Sequence, residues 1–551
     1  MIGAANAKSP RDERILSAAL LLLLAVVWLE PAGSGLAEPD ETRYAEIPRE
    51  MLAAGDLLVP RLNGVPYFEK PPLLYWLNAA SLRSFGQTPW AARLPTRCAS
   101  LGTTLLVILA AARRMGRRGG LSAGILFLAS PMGFLFSRAN LTDGLLTFFF
   151  TATVLAGNAA VRGREAGHHW KLAAAAAGAG AAGAFLSKGL IGLVLPGLIL
   201  LLWCLATGRF VHFIPTFLFS SALPVFLGLS VPWFLLVESR HPGFLQFFFV
   251  QEHFQRFATT AAKRPGPIFY FVPVFLLGFL PGLPFFFSAV KRFRGARRED
   301  EDLLFLLLWF AVVFVFFSLS RSKLPPYLFP AIPAAAALSA RGIPVPEGGS
   351  RRLWSIQAIL ATALVLGILA HPGLRASMAK LHLGTILIPT LAGLLAGSWI
   401  AAVLARRGTA LALAAVAAGW ASLLAGVALG WPKLPQAKFT AELAAAAQSA
   451  AVPRGAPIVA YRDYVNGISW ELKSPIPVAA YRGELEPEFE EHSAVREALF
   501  WSDETFWASW GSRPLVALVR TKDLSTFARA VPAARIVRQA EGHAIVANFS
   551  D

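Results

Sequence analysis

Residues 38–85 read EPDETRYAEIPREMLAAGDLLVPRLNGVPYFEKPPLLYWLNAASLRSF and follow directly on the first long apolar segment. This stretch is dense in acids, bases and aromatic residues, although only 15% of the whole chain is charged. At helical spacing, Tyr44 and Ile47 lie on one face, whereas Glu46 and Arg49 lie on the other. The pattern predicts an amphipathic helix at the surface of a membrane.

Two polar clusters in this stretch exceed what an amphipathic surface helix requires. Asp40 and Arg43 place a carboxylate and a guanidinium three residues apart at the expected membrane boundary. The second cluster is Tyr-Phe-Glu-Lys-Pro-Pro at residues 67–72. Between them, Pro48 is expected to kink or shorten the helix, because proline lacks an amide hydrogen. The clusters therefore point to a chemical role.

The composition places the chain in a membrane. Hydrophobic residues make up 55% of 551, the mean hydropathy is +0.54, and 41 residues are phenylalanine. These values are typical of a polytopic α-helical membrane protein and exclude an ordinary soluble domain. The net charge of +18 comes from short basic clusters between apolar segments, which indicate orientation rather than a nucleic-acid partner. Two cysteines, Cys98 and Cys204, provide neither a disulfide framework nor a metal site.

The basic clusters also predict the topology. Arginines at residues 113–118 and basic residues at 291–298 mark the cytoplasmic side. We expect about thirteen spans, a transmembrane domain over residues 1–430, and an outer loop at 38–90. A cleaved signal peptide is the alternative for the first span, since residues 35–37 resemble a cleavage site.

The composition changes at residue 431. Apolar runs shorten to strand length, as at residues 457–461 and 544–547, with helix-like segments between them. This pattern predicts a small α/β domain over residues 431–551, on the periplasmic side if the topology holds. No nucleotide or metal signature occurs in it.

The mixed polar clusters share the outer side of the predicted topology. They are Asp40/Arg43, Glu69/Lys70, Asn140/Asp143, Lys188, Glu252/His253/Arg256 and Lys323/Tyr327. A flippase or carrier of polyprenyl lipids should place ionisable groups in the middle of its spans. Here the span centres consist mainly of Leu, Ala, Phe, Val and Gly, which favours an enzyme that acts on a lipid headgroup.

Four motifs carry a family resemblance. They are DETRYAEIPREML, YFEKPPLLYWL, RANLTD and KLPPYLFPAIPA, and they lie within residues 14–341. The chain resembles the polyprenyl-phosphate-sugar-dependent glycosyltransferases, above all the lipid A aminoarabinose transferase branch, which is related to the protein O-mannosyltransferases. The resemblance implies a GT-C membrane fold, an undecaprenyl-phosphate-type sugar donor, and an acceptor in lipid A or elsewhere in the envelope. A protein O-glycosyltransferase is the alternative within this class.

Such a transfer accumulates negative charge on the leaving phosphate, so cations that contact the phosphate stabilise the transition state. The resemblance makes Lys70 the first choice for phosphate binding. Further candidates are Arg43, Arg256, Lys188 and Lys323. The alternative for each is a base that binds lipid headgroups or extends its charge to the membrane surface.

Asp40 and Asp143 match the acidic positions of the family and are the predicted catalytic carboxylates, because an acceptor hydroxyl needs a proton acceptor. With a phosphate acceptor they would orient groups or balance charge instead. The alternative for both is a helix N-cap. Tyr44, Tyr67 and Tyr327 are expected to line the substrate cavity, and an aromatic belt is the alternative.

Glu69 and His253 are also expected to contact substrate. A carboxylate and an imidazole from different loops could share a divalent cation. Two ligands do not complete a metal site, so we predict that no cofactor is required.

The sequence therefore predicts a transferase of the bacterial inner membrane that works at the periplasmic face.

Overall fold

The apolar segments fold as helices. The structure is a computed structural model. It describes residues 10–255, 265–295, 300–343, 350–481, 483, 485, 493–525, 527 and 534–549. In chain order the α-helices are α1 (Pro10–Trp28), α2 (Asp40–Ala54), α3 (Leu73–Phe85), α4 (Pro89–Ala129), α5 (Pro131–Arg138), α6 (Thr142–Glu165), α7 (Trp170–Lys188), α8 (Ile191–Ala206), α9 (Phe210–Phe217), α10 (Ala222–Arg240), α11 (Phe244–Gln246), α12 (Phe271–Gly278), α13 (Leu283–Gly295), α14 (Glu301–Leu319), α15 (Ile332–Gly342), α16 (Ser350–Ala370), α17 (Pro372–Lys380), α18 (Gly384–Leu404), α19 (Thr409–Gly430), α20 (Phe439–Ala451), α21 (Asn466–Leu472), α22 (Ser493–Leu499) and α23 (Asp503–Ser512). The strands are β1 (Arg61–Leu62), β2 (Val65–Pro66), β3 (Ile458–Tyr461), β4 (Val478–Ala479), β5 (Phe500–Trp501), β6 (Val516–Arg520), β7 (Arg535–Ala540) and β8 (His543–Ala547).

These helices and strands belong to two compact units. The first unit comprises Met1–Leu29, Thr96–Leu235 and Leu245–Gly430. The second unit comprises Glu30–Pro95, Leu236–Phe244 and Trp431–Asp551. Residues 30–95 therefore belong with the C-terminal region rather than with the membrane helices that flank them in sequence.

The first unit is helical. Among the described residues, seven helices are long and apolar enough to cross a membrane, or eight if a bent pair at 268–293 counts as one span. Shorter apolar helices such as α8 also occur. The polytopic α-helical class is thus confirmed, whereas the count of about thirteen spans stays a prediction.

Close packing of α6 against α7 explains the Ala/Gly-rich composition of α7. A Cβ atom on Gly180 would lie 3.0 Å from the backbone nitrogen of Thr153, so a larger residue would push the two helices apart. Small residues allow helix backbones to approach in this way within a membrane. The hairpin places Lys188, at the end of α7, beside Asp143, at the start of α6.

The second unit contains the predicted α/β domain. Its sheet has six strands in the order β5-β4-β3-β6-β8-β7. Strands β3, β4, β5 and β6 pair in parallel, whereas β8 pairs antiparallel with both β6 and β7. Apolar side chains such as Val459, Phe506 and Val519 form its core. The small C-terminal α/β domain is therefore confirmed.

Helix α2 runs without interruption through Pro48 to Ala54. Proline cannot donate to the carbonyl four residues earlier, which belongs to Tyr44. The side-chain Nδ2 of Asn78 in α3 donates to that carbonyl instead, at 2.9 Å. The expectation that Pro48 shortens the helix is wrong, because a side chain from the next helix replaces the missing donor.

The polar face predicted for α2 is buried inside the protein. Glu46 is 0% exposed and Glu50 is 5% exposed. Arg49 donates to both carboxylate oxygens of Glu46 at 2.7 Å, and the backbone amides of Asn63 and Gly64 donate to Glu50 at 2.7 and 2.9 Å. The amphipathic surface interpretation of α2 is wrong, because these partners allow the acids to be buried.

Candidate functional site

Asp40 and Arg43 form an ion pair at the start of α2. Arg43 Nη1 donates to Asp40 Oδ1 at 2.9 Å, and the Asp40 side chain remains 39% exposed. Pro39 occupies the capping position, so the N-cap alternative for Asp40 is wrong. The first turn of the helix therefore presents an accessible carboxylate that a guanidinium orients.

Tyr67 interacts electrostatically with Arg43 of this pair and with two further tyrosines, Tyr44 and Tyr75. Tyr44 and Tyr67 are 7% and 3% exposed, and the ring centroids of Tyr44 and Tyr75 are 6.2 Å apart. Burial, and after it the charge of Glu69, raises the pKa of the Tyr67 phenol well above its ordinary value, while Arg43 opposes the shift. The aromatic-belt alternative is wrong for Tyr44 and Tyr67, since both side chains are buried within protein. Tyr67 stays a neutral hydrogen-bonding group.

Lys70 lies just before α3. Its Nζ donates to the backbone carbonyl of Glu69 at 2.8 Å and lies 3.9 Å from the Glu69 carboxylate. The Lys70 side chain is 18% exposed, and Pro72 caps the helix that follows. The two prolines restrict the backbone after Lys70, and the hydrogen bond to the Glu69 carbonyl positions its ammonium group.

In the first unit, Asp143 and Lys188 form a closer and more buried pair. Lys188 Nζ lies 2.5 Å from Asp143 Oδ1, and the Asp143 side chain is 7% exposed. The ammonium also lies over the ring of Tyr327, 4.9 Å from its centroid. Leu141 occupies the capping position of α6, so the capping alternative for Asp143 is wrong. Three residues that are distant in sequence are thus brought together.

Lys323 has a different environment from the other candidate cations. Its Nζ donates to the carbonyls of Phe317, Ser318 and Ser320 at 3.3, 2.8 and 2.6 Å. These are the unsatisfied carbonyls at the end of α14, where a cation also interacts favourably with the helix dipole. The position of Lys323 is thus explained by helix capping, and its contact with phosphate stays a prediction.

Two predicted residues lie outside what the structure describes. Arg256 is not among the described residues, nor is the side chain of His253. Within the described part of the chain, no group of three or more His, Cys, Asp and Glu residues is arranged to hold a metal ion. The metal hypothesis for Glu69 and His253 stays untested.

Sequence reasoning missed Arg93. Arg93 belongs to the second unit and is buried. Its guanidinium donates to Glu41 at 2.8 and 2.7 Å and to Glu30 at 2.6 Å. An arginine near the start of an apparent span was the available signal, because such a charge requires partners. This network fixes the loop before α2.

Comparison with known proteins places these residues in context. The family model described as "Dolichyl-phosphate-mannose-protein mannosyltransferase" matches residues 69–233. Undecaprenyl phosphate-alpha-4-amino-4-deoxy-L-arabinose arabinosyl transferase of Edwardsiella ictaluri is 33% identical over 67% of this chain and 69% of its own length. The transferase 2 of the same name from Proteus mirabilis is 33% identical, and the alignment covers 60% of this chain and 60% of that protein.

A solved structure agrees over nearly the whole chain. The crystal structure of ArnT from Cupriavidus metallidurans bound to undecaprenyl phosphate superimposes with a TM-score of 0.82 and 27% identity. The superposition covers 98% of this chain and 98% of that one. The fold is therefore shared from the first helix to the C-terminal sheet.

Proposed function

Because the chain belongs to the family of undecaprenyl phosphate-4-amino-4-deoxy-L-arabinose arabinosyl transferases, we propose that it is a membrane glycosyltransferase. It moves a sugar, aminoarabinose-like by this relationship, from a polyprenyl-phosphate donor to lipid A or another envelope acceptor. The observation that carries the proposal is the likeness over 98% of both chains to a protein crystallised with undecaprenyl phosphate.

We further propose that the enzyme lies in the bacterial inner membrane and works at its periplasmic face. The support is the alternation of basic clusters, at residues 113–118 and 291–298, with the outer polar loops. A reporter enzyme fused after Asp551 should report a periplasmic C-terminus, and a cytoplasmic result would contradict the orientation.

The donor phosphate is the leaving group, and cations that contact it act mainly in the transition state. We propose Lys70 as the main phosphate ligand, since it lies in the YFEKPP motif and the Glu69 carbonyl already positions its ammonium group. Arg43 and Lys188 are proposed as further phosphate contacts. Each already has one carboxylate partner, at 2.9 and 2.5 Å respectively, which positions the cation before the donor arrives.

Asp40 is our proposed proton acceptor for a hydroxyl acceptor. Its carboxylate is the more exposed of the two candidate aspartates, at 39% against 7% for Asp143. Asp143 is proposed to orient Lys188, because its carboxylate already contacts that ammonium. If the acceptor is a phosphate, it is already ionised, and Asp40 then balances charge instead of accepting a proton.

We also propose that transfer requires no resident metal. The Glu69 carboxylate lies 3.9 Å from the Lys70 ammonium, and this cation competes with a metal ion for the same oxygens. Dialysis against EDTA should leave turnover unchanged. A loss of turnover that Zn²⁺, Mg²⁺ or Mn²⁺ restores would contradict this proposal.

Mass spectrometry of lipid A and envelope glycans, with and without the gene, tests the function. Loss of a pentose-type modification on lipid A is the expected result. Loss of sugar from proteins would favour the protein O-glycosyltransferase alternative, which the description of the matching family model also names. Movement of the lipid-linked sugar across the membrane without transfer of the sugar would favour the alternative of a flippase or carrier.

Purified enzyme then tests Lys70. Lys70→Ala should slow transfer by about 10²–10³-fold, as expected when one preorganised electrostatic contact is removed. Lys70→Arg should restore little of the lost activity, because a planar guanidinium group replaces a compact ammonium group. Lys380→Ala, an exposed lysine on α17, is the matched control and should retain normal turnover.

A further inference from the structure

A short stretch of the C-terminal α/β domain, residues 467–476, binds side chains of the outer loop at 38–90 through its backbone atoms. We call this stretch the anchor segment. Four side chains of the loop make these contacts, namely Glu38, Arg49, Asn63 and Gln87, which bind Gly467, Lys473, Ile476 and Trp470 respectively. The loop that carries both polar clusters is therefore attached at four points to one segment of the C-terminal domain.

The contact at Asn63 uses both ends of its amide group. Asn63 Nδ2 donates to the carbonyl of Ile476 at 3.0 Å, and its Oδ1 accepts from the backbone amide of Ile476 at 2.9 Å. Asn63 is 0% exposed and forms, with Gly64, the two-residue turn between β1 and β2. Asn-Gly suits such a turn by its backbone alone, which does not require a buried side chain. The burial of the amide therefore reflects its contact with the anchor segment.

The hairpin connects this contact to the YFEKPP motif. Strands β1 and β2 pair antiparallel, and the amide of Tyr67 donates to the carbonyl of Pro60 at 2.8 Å, which closes the hairpin. Lys70 follows three residues after Tyr67, and the carbonyl of Glu69 accepts from its ammonium group. A displacement of the turn is therefore transmitted over a few residues to the proposed phosphate ligand.

The Glu38 carboxylate makes a second contact, just before the first polar cluster. It accepts a hydrogen bond from the buried amide of Gly467. Glu38 lies two residues before Asp40, and amides in the first turn of α2 donate to the carbonyls on either side of it, those of Ala37 and Pro39. The contact therefore holds the chain where α2 begins.

The approach of Glu38 to α21 is close enough to require glycine at position 467. A Cβ atom on Gly467 would lie 2.6 Å from Glu38 Oε1 and 2.5 Å from Thr440 Cγ2. A larger residue would displace the carboxylate from the amide that it binds.

We propose that the C-terminal domain positions the reactive groups of the outer loop through the anchor segment. Asn63 is the positioning residue that acts through Lys70. Glu38 is the positioning residue that acts through Asp40 and Arg43. The proposal rests on the proposed function, which assigns the chemistry to these groups. The C-terminal domain then sets the rate of transfer, although it supplies none of the proposed catalytic or phosphate-binding side chains.

A double-mutant cycle tests Asn63. Asn63→Gly removes the amide and keeps the hairpin, because glycine adopts the positive φ of 51° without strain. Single-turnover transfer should slow by about 10–100-fold, as expected when a reacting group is displaced by about 1 Å. In a chain that already carries Lys70→Ala, the same change should slow transfer by less than about 2-fold, since Asn63 then has nothing to position. Equal fold-changes in the two backgrounds would overturn the role of Asn63.

Asn548 provides a matched control for stability. Its Nδ2 donates to the carbonyls of Trp510 and Arg513 at 2.6 and 2.7 Å, and its Oδ1 accepts from the amide of Leu515 at 2.8 Å. Asn548→Ala and Asn63→Gly should both lower the melting temperature, but only the second should slow transfer. A comparable loss of rate in Asn548→Ala would show that general destabilisation is the cause, and would overturn the positioning role.

Hydrogen exchange tests Glu38 without any turnover. With the full chain in lipid nanodiscs, Glu38→Ala should speed the exchange of the amides of residues 41–43, because the first turn of α2 loses its support. Glu38→Gln should exchange as the wild type does, since its amide oxygen still accepts from Gly467. In transfer assays kcat should be low for the alanine variant and normal for the glutamine variant. A slow Glu38→Gln with normal exchange would assign Glu38 to the chemistry itself and overturn its positioning role.

The two readouts separate this proposal from the proposed function. If exchange follows the prediction but the chain transfers no sugar from a polyprenyl-phosphate donor, the contact at Glu38 stands and the proposed function is overturned. If transfer occurs and neither Asn63→Gly nor Glu38→Ala changes its rate, the positioning proposal alone is overturned.

Discussion

Helix α2 carries two carboxyl–guanidinium pairs with the same sequence spacing and opposite environments. Asp40 pairs with Arg43 at 2.9 Å, and Glu46 pairs with Arg49 at 2.7 Å, in each case across three residues of the same helix. The Asp40 side chain is 39% exposed, whereas that of Glu46 is 0% exposed. Arg49 contacts both carboxylate oxygens of Glu46, and the main difference between the pairs is how deeply the protein buries the carboxylate.

This difference separates the carboxylate that we propose to be reactive from a structural one. Burial raises the pKa of Glu46 to about 8, although the hydrogen bonds from Arg49 oppose the shift. Arg49 itself stays charged and also donates to the carbonyl of Lys473 at 3.0 Å, which ties α2 to the segment after α21. Glu46 therefore holds the second unit together, whereas Asp40 remains accessible to a substrate.

The largest effect should come from the exposed pair. Asp40→Asn keeps the size of the side chain but removes the base, so turnover with a hydroxyl acceptor should fall by about 10²–10⁴-fold. The melting temperature and the donor affinity should change little, because Asp40 is not part of the core. Single-turnover rates and thermal unfolding of the purified variant provide both measurements. A normal rate with a hydroxyl acceptor would remove Asp40 from the mechanism.

Sequence alone could not distinguish the two pairs. The membrane class, the C-terminal sheet and the position of α2 all follow from composition and periodicity, which are local properties. Burial of Glu46 depends instead on the residues that pack around it. The same holds for Arg93, whose carboxylate partners Glu41 and Glu30 are 52 and 63 residues away in sequence. The RANLTD motif and the outer polar clusters indicated Asp143 and Lys188 separately, but only the helix hairpin shows that they touch.

The pair of Asp143 and Lys188 tests whether a buried pair can also be functional. Lys188→Met would leave the Asp143 carboxylate buried without its cation, which typically destabilises a protein by about 3–5 kcal/mol. Thermal unfolding in detergent should show this loss, and the double variant Asp143→Asn/Lys188→Met should recover most of it. Equal destabilisation of the single and double variants would show that the two groups are not coupled. Turnover should stay low in both variants if Lys188 contacts the phosphate.

A smaller effect, on pH dependence, should come from Glu46. The carboxyl of the unfolded chain ionises near its ordinary pKa of 4.5, whereas the folded one keeps its proton up to about 8. The unfolded state therefore binds fewer protons in this window, and stability should fall between pH 5 and 8 and level off above it.

Glu46→Gln should reduce this slope, and chemical unfolding at several pH values measures it. Some slope should remain, because burial also raises the pKa of Glu50. An identical slope in Glu46→Gln and the wild type would show that Glu46 is already ionised in the fold.

The smallest effect concerns the turn that joins the two pairs. Asn78→Ala would leave the buried carbonyl of Tyr44 without its donor, at a cost of about 1–3 kcal/mol. Pro48→Ala should then recover part of this loss, because alanine has an amide hydrogen that can donate to the same carbonyl. In the wild-type background Pro48→Ala should be nearly neutral or slightly destabilising, since the added donor competes with Asn78 and the unfolded chain gains freedom.

A double-mutant cycle on the free energy of unfolding should therefore give a coupling of about 1 kcal/mol between positions 48 and 78. Additive effects would mean that Asn78 does not substitute for the missing amide, and the continuity of α2 between its two ion pairs would need another cause.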